Sequence, residues 1–77
     1  DIIGLKVVEN GEILGIVDDI QDNFTTSLLY IKTDEKLIAA GKPKTFSIPY
    51  LEHFIESVNL ESGEILLKGA RDILENS

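Results

Sequence analysis

Asn10-Gly11 constrains this chain more than any other pair of residues. Asn followed by Gly is the combination best able to take positive φ at both central positions of a type I′ turn, whose twist matches that of flanking β-strands. Leu5, Lys6, Val7 and Val8 precede the pair, and Ile13, Leu14, Ile16 and Val17 follow it. Both arms are dominated by β-branched and aliphatic residues, which suit a pleated, half-buried surface better than a helix. The first twenty residues therefore read as a β-hairpin. Gly4 and Gly15 fall inside the arms of that reading. A glycine within a strand marks a bulge, a bend or a close backbone approach. Two of them favour strands that coil around a small core over a flat hairpin.

A coiled core must be compact here. The chain has 77 residues, which makes one domain. A chain of this size buries only about 60–65% of the surface its unfolded form exposes. At 43% hydrophobic and 27% charged residues, the composition is that of an ordinary globular domain without a disordered tract. The chain lacks cysteine, so no disulfide framework and no thiolate metal site is available, and a cytoplasmic location is expected. It holds no run of about 18 apolar residues and no basic leader before an apolar stretch, so no membrane contact is expected. It begins with Asp1 and has no methionine, as expected of a domain excised from a longer protein.

Fourteen acidic residues against seven basic ones give a net charge of −7. Such a surface repels a phosphate backbone, which is recognised through clustered Lys and Arg. The basic residues are scattered, apart from Lys42 and Lys44. Direct nucleic-acid binding is not expected. The acidity first serves solubility, and it also suits a basic partner, whose encounter it would steer.

Further along, Gln21 to Ser27 is polar and turn-rich, and Leu28 to Thr33 reads as a third strand. Leu37 to Ala40 fits either a helical turn ended by Gly41 or an extension of that strand into a long hairpin loop. Thr45 to Ile48 alternates polar and apolar, as a short strand does. Pro49 to Glu52 fits a single helical turn with proline at its first position. Phe54 to Leu60 and Glu64 to Lys68 are the next strands, separated by Glu61-Ser62-Gly63. Ala70, Ile73 and Leu74 follow helical spacing, so Ala70 to Glu75 reads as a short amphipathic helix that must dock on the body. Gly11-Glu-Ile-Leu14 recurs as Gly63-Glu-Ile-Leu66, which turn-glycine chemistry arising twice explains without a repeat. The sum is an all-β domain, a small barrel of five or six short antiparallel strands with a C-terminal helical turn. Phe24, Tyr30, Phe46, Tyr50 and Phe54 are expected in its core or rim. An interface role for Tyr50 is the alternative.

No group of residues carries catalytic or cofactor chemistry. Asp18, Asp19, Asp22 and Asn23 offer oxygen ligands at short spacing, but EF-hand spacing and its pivotal glycine are missing. They read as a solvated strand end. His53 beside Glu52 is the one histidine and cannot build a histidine-based zinc site. Ser47, Ser57 and Ser62 lack a nucleophile-elbow sequence. No phosphate-cradling or dinucleotide loop occurs. Neither an enzyme nor a cofactor is expected.

Taken together, two stretches carry a resemblance. Asp1-Ile-Ile-Gly-Leu-Lys-Val with Asn10-Gly-Glu-Ile-Leu-Gly-Ile-Val17 resembles the opening of PRC-barrel domains, in particular the C-terminal domain of the RimM ribosome maturation factors. Phe46-Ser-Ile-Pro-Tyr50 with Phe54 to Ile65 resembles that family's second signature, and Gly69 to Glu75 its closing segment. The turn Asn23-Phe-Thr-Thr-Ser27 departs from the family by lacking glycine, so its backbone is expected to differ. The resemblance implies a non-enzymatic role in maturing the head of the small ribosomal subunit. It implies binding of the nineteenth small-subunit ribosomal protein, which is basic, by a monomeric domain whose N-terminal companion lies outside this chain. A PRC barrel used as an adaptor or regulatory domain in a membrane-associated or photosynthetic assembly is the alternative. For the contact itself we take the acidic and apolar C-terminal edge, Asp72, Ile73, Leu74 and Glu75, and second the acidic pair Asp18 and Asp19.

Overall fold

The turn forms where Asn10 and Gly11 demand it. Both take positive φ, 52° and 79°, and Glu9 faces Glu12 across them, as in a type I′ hairpin. The turn joins β1 (Lys6–Glu9) to β2 (Glu12–Asp22). These elements belong to a computed structural model that describes residues 2–22 and 25–76.

β2 coils because it is bulged twice. Val7 pairs with Gly15 but Val8 with Ile13, so Leu14 is an extra residue on the β2 side. Val17 pairs with Ile31 but Asp19 with Tyr30, so Asp18 is a second. Each bulge bends and twists its strand. The first half of β2 thereby pairs with β1 and the longer second part with β3 (Ser27–Thr33). Gly15 lies where β2 and β3 approach most closely. A Cβ there would run into the Lys32 carbonyl and lie 2.9 Å from Ile31 Cγ2. The close-approach reading of Gly15 therefore holds. Gly4 is different: it lies in a turn ahead of β1 with φ of 95°, not inside a strand.

After β3 the helical alternative forms. The Asp34 side chain accepts from the Lys36 amide at 3.2 Å and opens α1 (Glu35–Ala39). Gly41, with φ of 95°, closes the turn by donating to the Ile38 carbonyl. β4 (Thr45–Pro49) buries Phe46 and Ile48. Pro49 is the last residue of β4 and not the first of a helical turn. The turn comes later, where the Leu51 carbonyl accepts from the amides of Phe54 and Ile55 at 2.9 Å each. β5 (Ile55–Asn59), β6 (Glu64–Leu67) and α2 (Ala70–Glu75) complete the chain.

The six strands form one sheet in the order β4-β3-β2-β1-β6-β5. Every neighbouring pair is antiparallel except β1 and β6, which run parallel. The expectation of wholly antiparallel strands is corrected at this one place. Parallel neighbours need a long crossover, and the whole chain between β1 and β6 supplies it. The sheet wraps around Val7, Leu14, Val17, Leu29, Ile31, Ile48 and Ile65, and α2 adds Ala70 and Leu74 to that core. Of the aromatic residues Phe46 is buried, Tyr30 and Phe54 are half-buried, and Tyr50 is exposed. The core reading thus fails for Tyr50, while Phe24 lies outside the described residues.

This packing makes Gly15 the least replaceable residue of β2. Gly15→Val should destabilise the domain by about 1–3 kcal/mol, because the crossing must open to admit the side chain. Urea denaturation of the two proteins measures it, and equal midpoints with equal slopes would contradict this account of the crossing.

Candidate partner-binding surface

The C-terminal edge is built by a helix too short to stand alone. Packing and hydrogen bonding both hold α2. Ala70 and Leu74, four residues apart on one face, are fully buried. At its N-terminal end, Glu9 of β1 caps the helix. Its Oε1 accepts from the Ala70 amide at 2.7 Å and from the Arg71 amide at 3.2 Å. Gly69, the N-cap residue, has no side chain to do this itself and takes φ of 76°. The Arg71 guanidinium then pairs with Glu12 and, at 3.3 Å, with Glu75. Glu9 and Glu12 face each other across the hairpin, an arrangement that like charge disfavours. The helix relieves it by giving one carboxylate two amides and the other a guanidinium.

This geometry sorts the residues expected to make the contact. Asp72 and Glu75 are exposed, and Glu75 is engaged by Arg71. Ile73 is half-buried against the core. Leu74 is fully buried, so it is a core residue and cannot be a contact residue of the folded domain. The i, i+3, i+4 pattern marked the docking face of α2 rather than a partner-facing one.

Asp18 and Asp19 are exposed at the second bulge of β2. They line a shallow depression of about 220 Å³ with Gln21, Tyr30 and Thr45. Asp19 Oδ1 accepts from the neighbouring Ile20 amide, and Asp22 Oδ1 accepts from the Ser27 hydroxyl. Asn23 lies outside the described residues. Among the described residues no group of three or more His, Cys, Asp or Glu side chains is placed to hold a metal ion. His53 is exposed, and its ring meets Phe54 edge-on with centroids 4.9 Å apart. Both ion pairs found among the described residues belong to Arg71, so most carboxylates face solvent without a cation beside them.

Of a further surface the sequence pointed only to Tyr50, as the alternative to core packing. Tyr50, Leu51, Val58 and Leu60 are exposed by 42%, 45%, 37% and 62%, and they flank or belong to β5. The sequence signal for it was a missing residue type. Between Lys44 and Lys68 there is no Lys or Arg, while Glu52, Glu56, Glu61 and Glu64 all fall there.

The comparisons agree with this architecture. A family model described as the RimM PRC barrel domain matches residues 1–73. The chain belongs to the RimM PRC-barrel family. A ribosome maturation factor RimM of Campylobacter concisus is 88% identical over all 77 residues, and one of Campylobacter curvus is 54% identical over the same span. This RimM-family chain covers 44% of the length of each of them. Less than half of the relatives' length is therefore represented. The crystal structure of a 16S ribosomal RNA processing protein RimM from Pseudomonas aeruginosa superposes with a TM-score of 0.76 at 21% identity. The match covers 92% of this chain and 42% of that one, and it shows that the RimM barrel fold is shared.

If Glu9 is the cap that α2 needs, Glu9→Ala should cost about 1 kcal/mol or more. Hydrogen exchange should locate the loss, with faster exchange at the Ala70 and Arg71 amides and unchanged protection in β3. Uniform loss across the sheet would show that Glu9 acts through β1 instead.

Proposed function

We propose that this domain is the protein-binding module of a ribosome maturation factor, acting without chemistry of its own. In this reading it assists assembly of the small-subunit head and processing of its rRNA by docking a basic ribosomal protein, the nineteenth of the small subunit. The relatives that match the full chain are ribosome maturation factors of the RimM family, and a fold relative is a 16S ribosomal RNA processing protein. Those relatives are more than twice as long, so we take this domain as the C-terminal half of such a factor. The remainder then carries its other contacts. A ribosomal task makes the cytoplasm its place of work.

The observation that carries the partner's chemistry is the unbalanced acidity. A net charge of −7, with both ion pairs of the described residues on Arg71, leaves a negative field that attracts a basic protein and repels bare RNA. The exposed carboxylates of Asp72 and Glu75 on α2, and of Asp18 and Asp19 on β2, contribute to that field. Charges of this kind act mainly on the rate of encounter. Leu74 acts indirectly, by fixing α2 to the core.

Titrating labelled protein with the isolated basic ribosomal protein at low and moderate salt tests the reading. Binding should weaken as salt rises. Asp72→Lys with Glu75→Lys should slow association several-fold at low salt and leave dissociation nearly unchanged. Folded protein that binds at neither salt concentration would overturn the direct-contact reading.

A further inference from the structure

We infer that the turn between β4 and β5, together with the open edge of β5, is the anchoring contact for a basic segment of the partner. The inference rests on the protein-binding reading above and adds to it the surface that holds the partner. Six residues define it: Tyr50, Leu51, Glu52, Glu56, Val58 and Leu60.

Four of the six are large apolar or aromatic side chains that the fold leaves in solvent. Ile3, Ile13 and Ile16 are exposed as well, but they belong to β2 and the turn ahead of β1, whereas these four follow one another along the β4–β5 turn and β5. Isolated apolar residues on a surface need no explanation, but grouped ones mark interaction sites. These are grouped by the chain itself. The Leu51 carbonyl accepts from the Ile55 amide, which sets Tyr50 and Leu51 at the start of β5. Val58 lies on β5, and Leu60 directly follows its last residue. A five-residue strand is roughly 17 Å long, so the group spans an extended segment of about that length.

The backbone adds a second feature. β5 is the last strand of the sheet and pairs only with β6. Past Ile55, whose amide is taken by the Leu51 carbonyl, its outer edge has no strand beside it among the described residues, a template for another strand. Glu56 is the extra residue of a bulge on this edge, because Ile55 pairs with Leu67 and Ser57 with Leu66. A bulge and a carboxylate are devices that keep an edge from pairing with its own copies.

Charge selects the occupant. Glu52, Glu56 and Glu61 lie on this edge, and no Lys or Arg occurs between Lys44 and Lys68. Lys68 is the cation that approaches, donating its amide to the Phe54 carbonyl and sharing a hollow with His53 and Gly69. A second copy of this chain would bring the same carboxylates against these. A segment in which Lys or Arg alternates with apolar residues complements them, with its apolar side chains on Leu51, Val58 and Leu60 and a guanidinium on the Tyr50 ring. The α2 edge is a poorer anchor, since Leu74 is in the core and Arg71 already occupies Glu12 and Glu75.

Anchoring and steering separate in kinetics, because buried apolar contacts govern dissociation and rim charges govern association. The test uses the full-length protein and the basic ribosomal protein in a surface-binding assay that resolves both rates. Tyr50→Ala with Leu51→Ser should speed dissociation about tenfold or more, and Leu60→Ser at the far end should act in the same direction. Glu52→Lys with Glu56→Lys should slow association. All six side chains are exposed or at the edge, so the variants should keep the parent's melting temperature, which circular dichroism checks. If the parent binds and both apolar variants dissociate within about twofold of it, the anchor is wrong and the protein-binding reading stands. If the folded parent does not bind, both fall. A sedimentation dimer that Leu60→Ser abolishes would assign the edge to a second copy and overturn the inference.

Discussion

Four residues hold the two halves of this barrel together. β1, Lys6–Glu9, pairs antiparallel with β2 on one side and parallel with β6 on the other. The meander β2-β3-β4 and the hairpin β5-β6 lie on opposite sides of it in the sheet. A strand with neighbours on both sides must hide its inward side chain completely, and Val7 is fully buried. The last residue of β1 then holds α2 through the Glu9 carboxylate. Sheet closure and helix docking thus depend on the same short segment. The Asn10-Gly11 turn matters through this dependence. It fixes the register that sets Glu9 opposite Glu12 and aims both at the helix.

The placement of apolar side chains follows from the closure. A sheet wrapped on one core buries its inner residues from every strand, yet it retains two edge strands, β4 and β5. β4 ends in Pro49 and packs against α2, a protected edge. β5 has no element beyond it in the sheet, and four of its five residues are exposed. The two edges of one sheet therefore have different fates, one covered by the chain and one available. Recognition at an available edge needs no moving part, so a small rigid barrel suffices.

Local chemistry made much of this legible in the sequence. Positive φ at Asn10 and Gly11, the alternation in Thr45–Ile48 and the spacing of Ala70, Ile73 and Leu74 each followed from residue type and period. What was not legible involved contacts between distant segments. A period of two says which face a residue takes but not which strand lies beside it or in which direction it runs, so the parallel β1–β6 pairing stayed hidden. The helical spacing placed Leu74 on an apolar face without saying whether that face met the core or a partner, and here it met the core. Tyr50 reads as a core aromatic by composition. It is exposed, as the residue that directly follows Pro49 at the end of β4. The cap from Glu9 joins residues 61 positions apart, beyond the reach of any local signal.

The same distinction between local and distant contacts bears on function. Acidic charge was visible from the start, and charge alone specifies only the sign of a partner. A long-lived complex needs desolvated apolar contact inside a rim of complementary charge. Carboxylates on α2 and on the β2 bulge supply charge, but of the apolar residues beside the former Leu74 is committed to the core and Ile73 packs half-buried against it. At the β5 edge both requirements coincide, with exposed Tyr50, Leu51, Val58 and Leu60 alongside Glu52, Glu56 and Glu61. The fold concentrates there what the sequence spreads over a dozen positions, and a partner that merely neutralised the domain's charge would gain nothing from that arrangement.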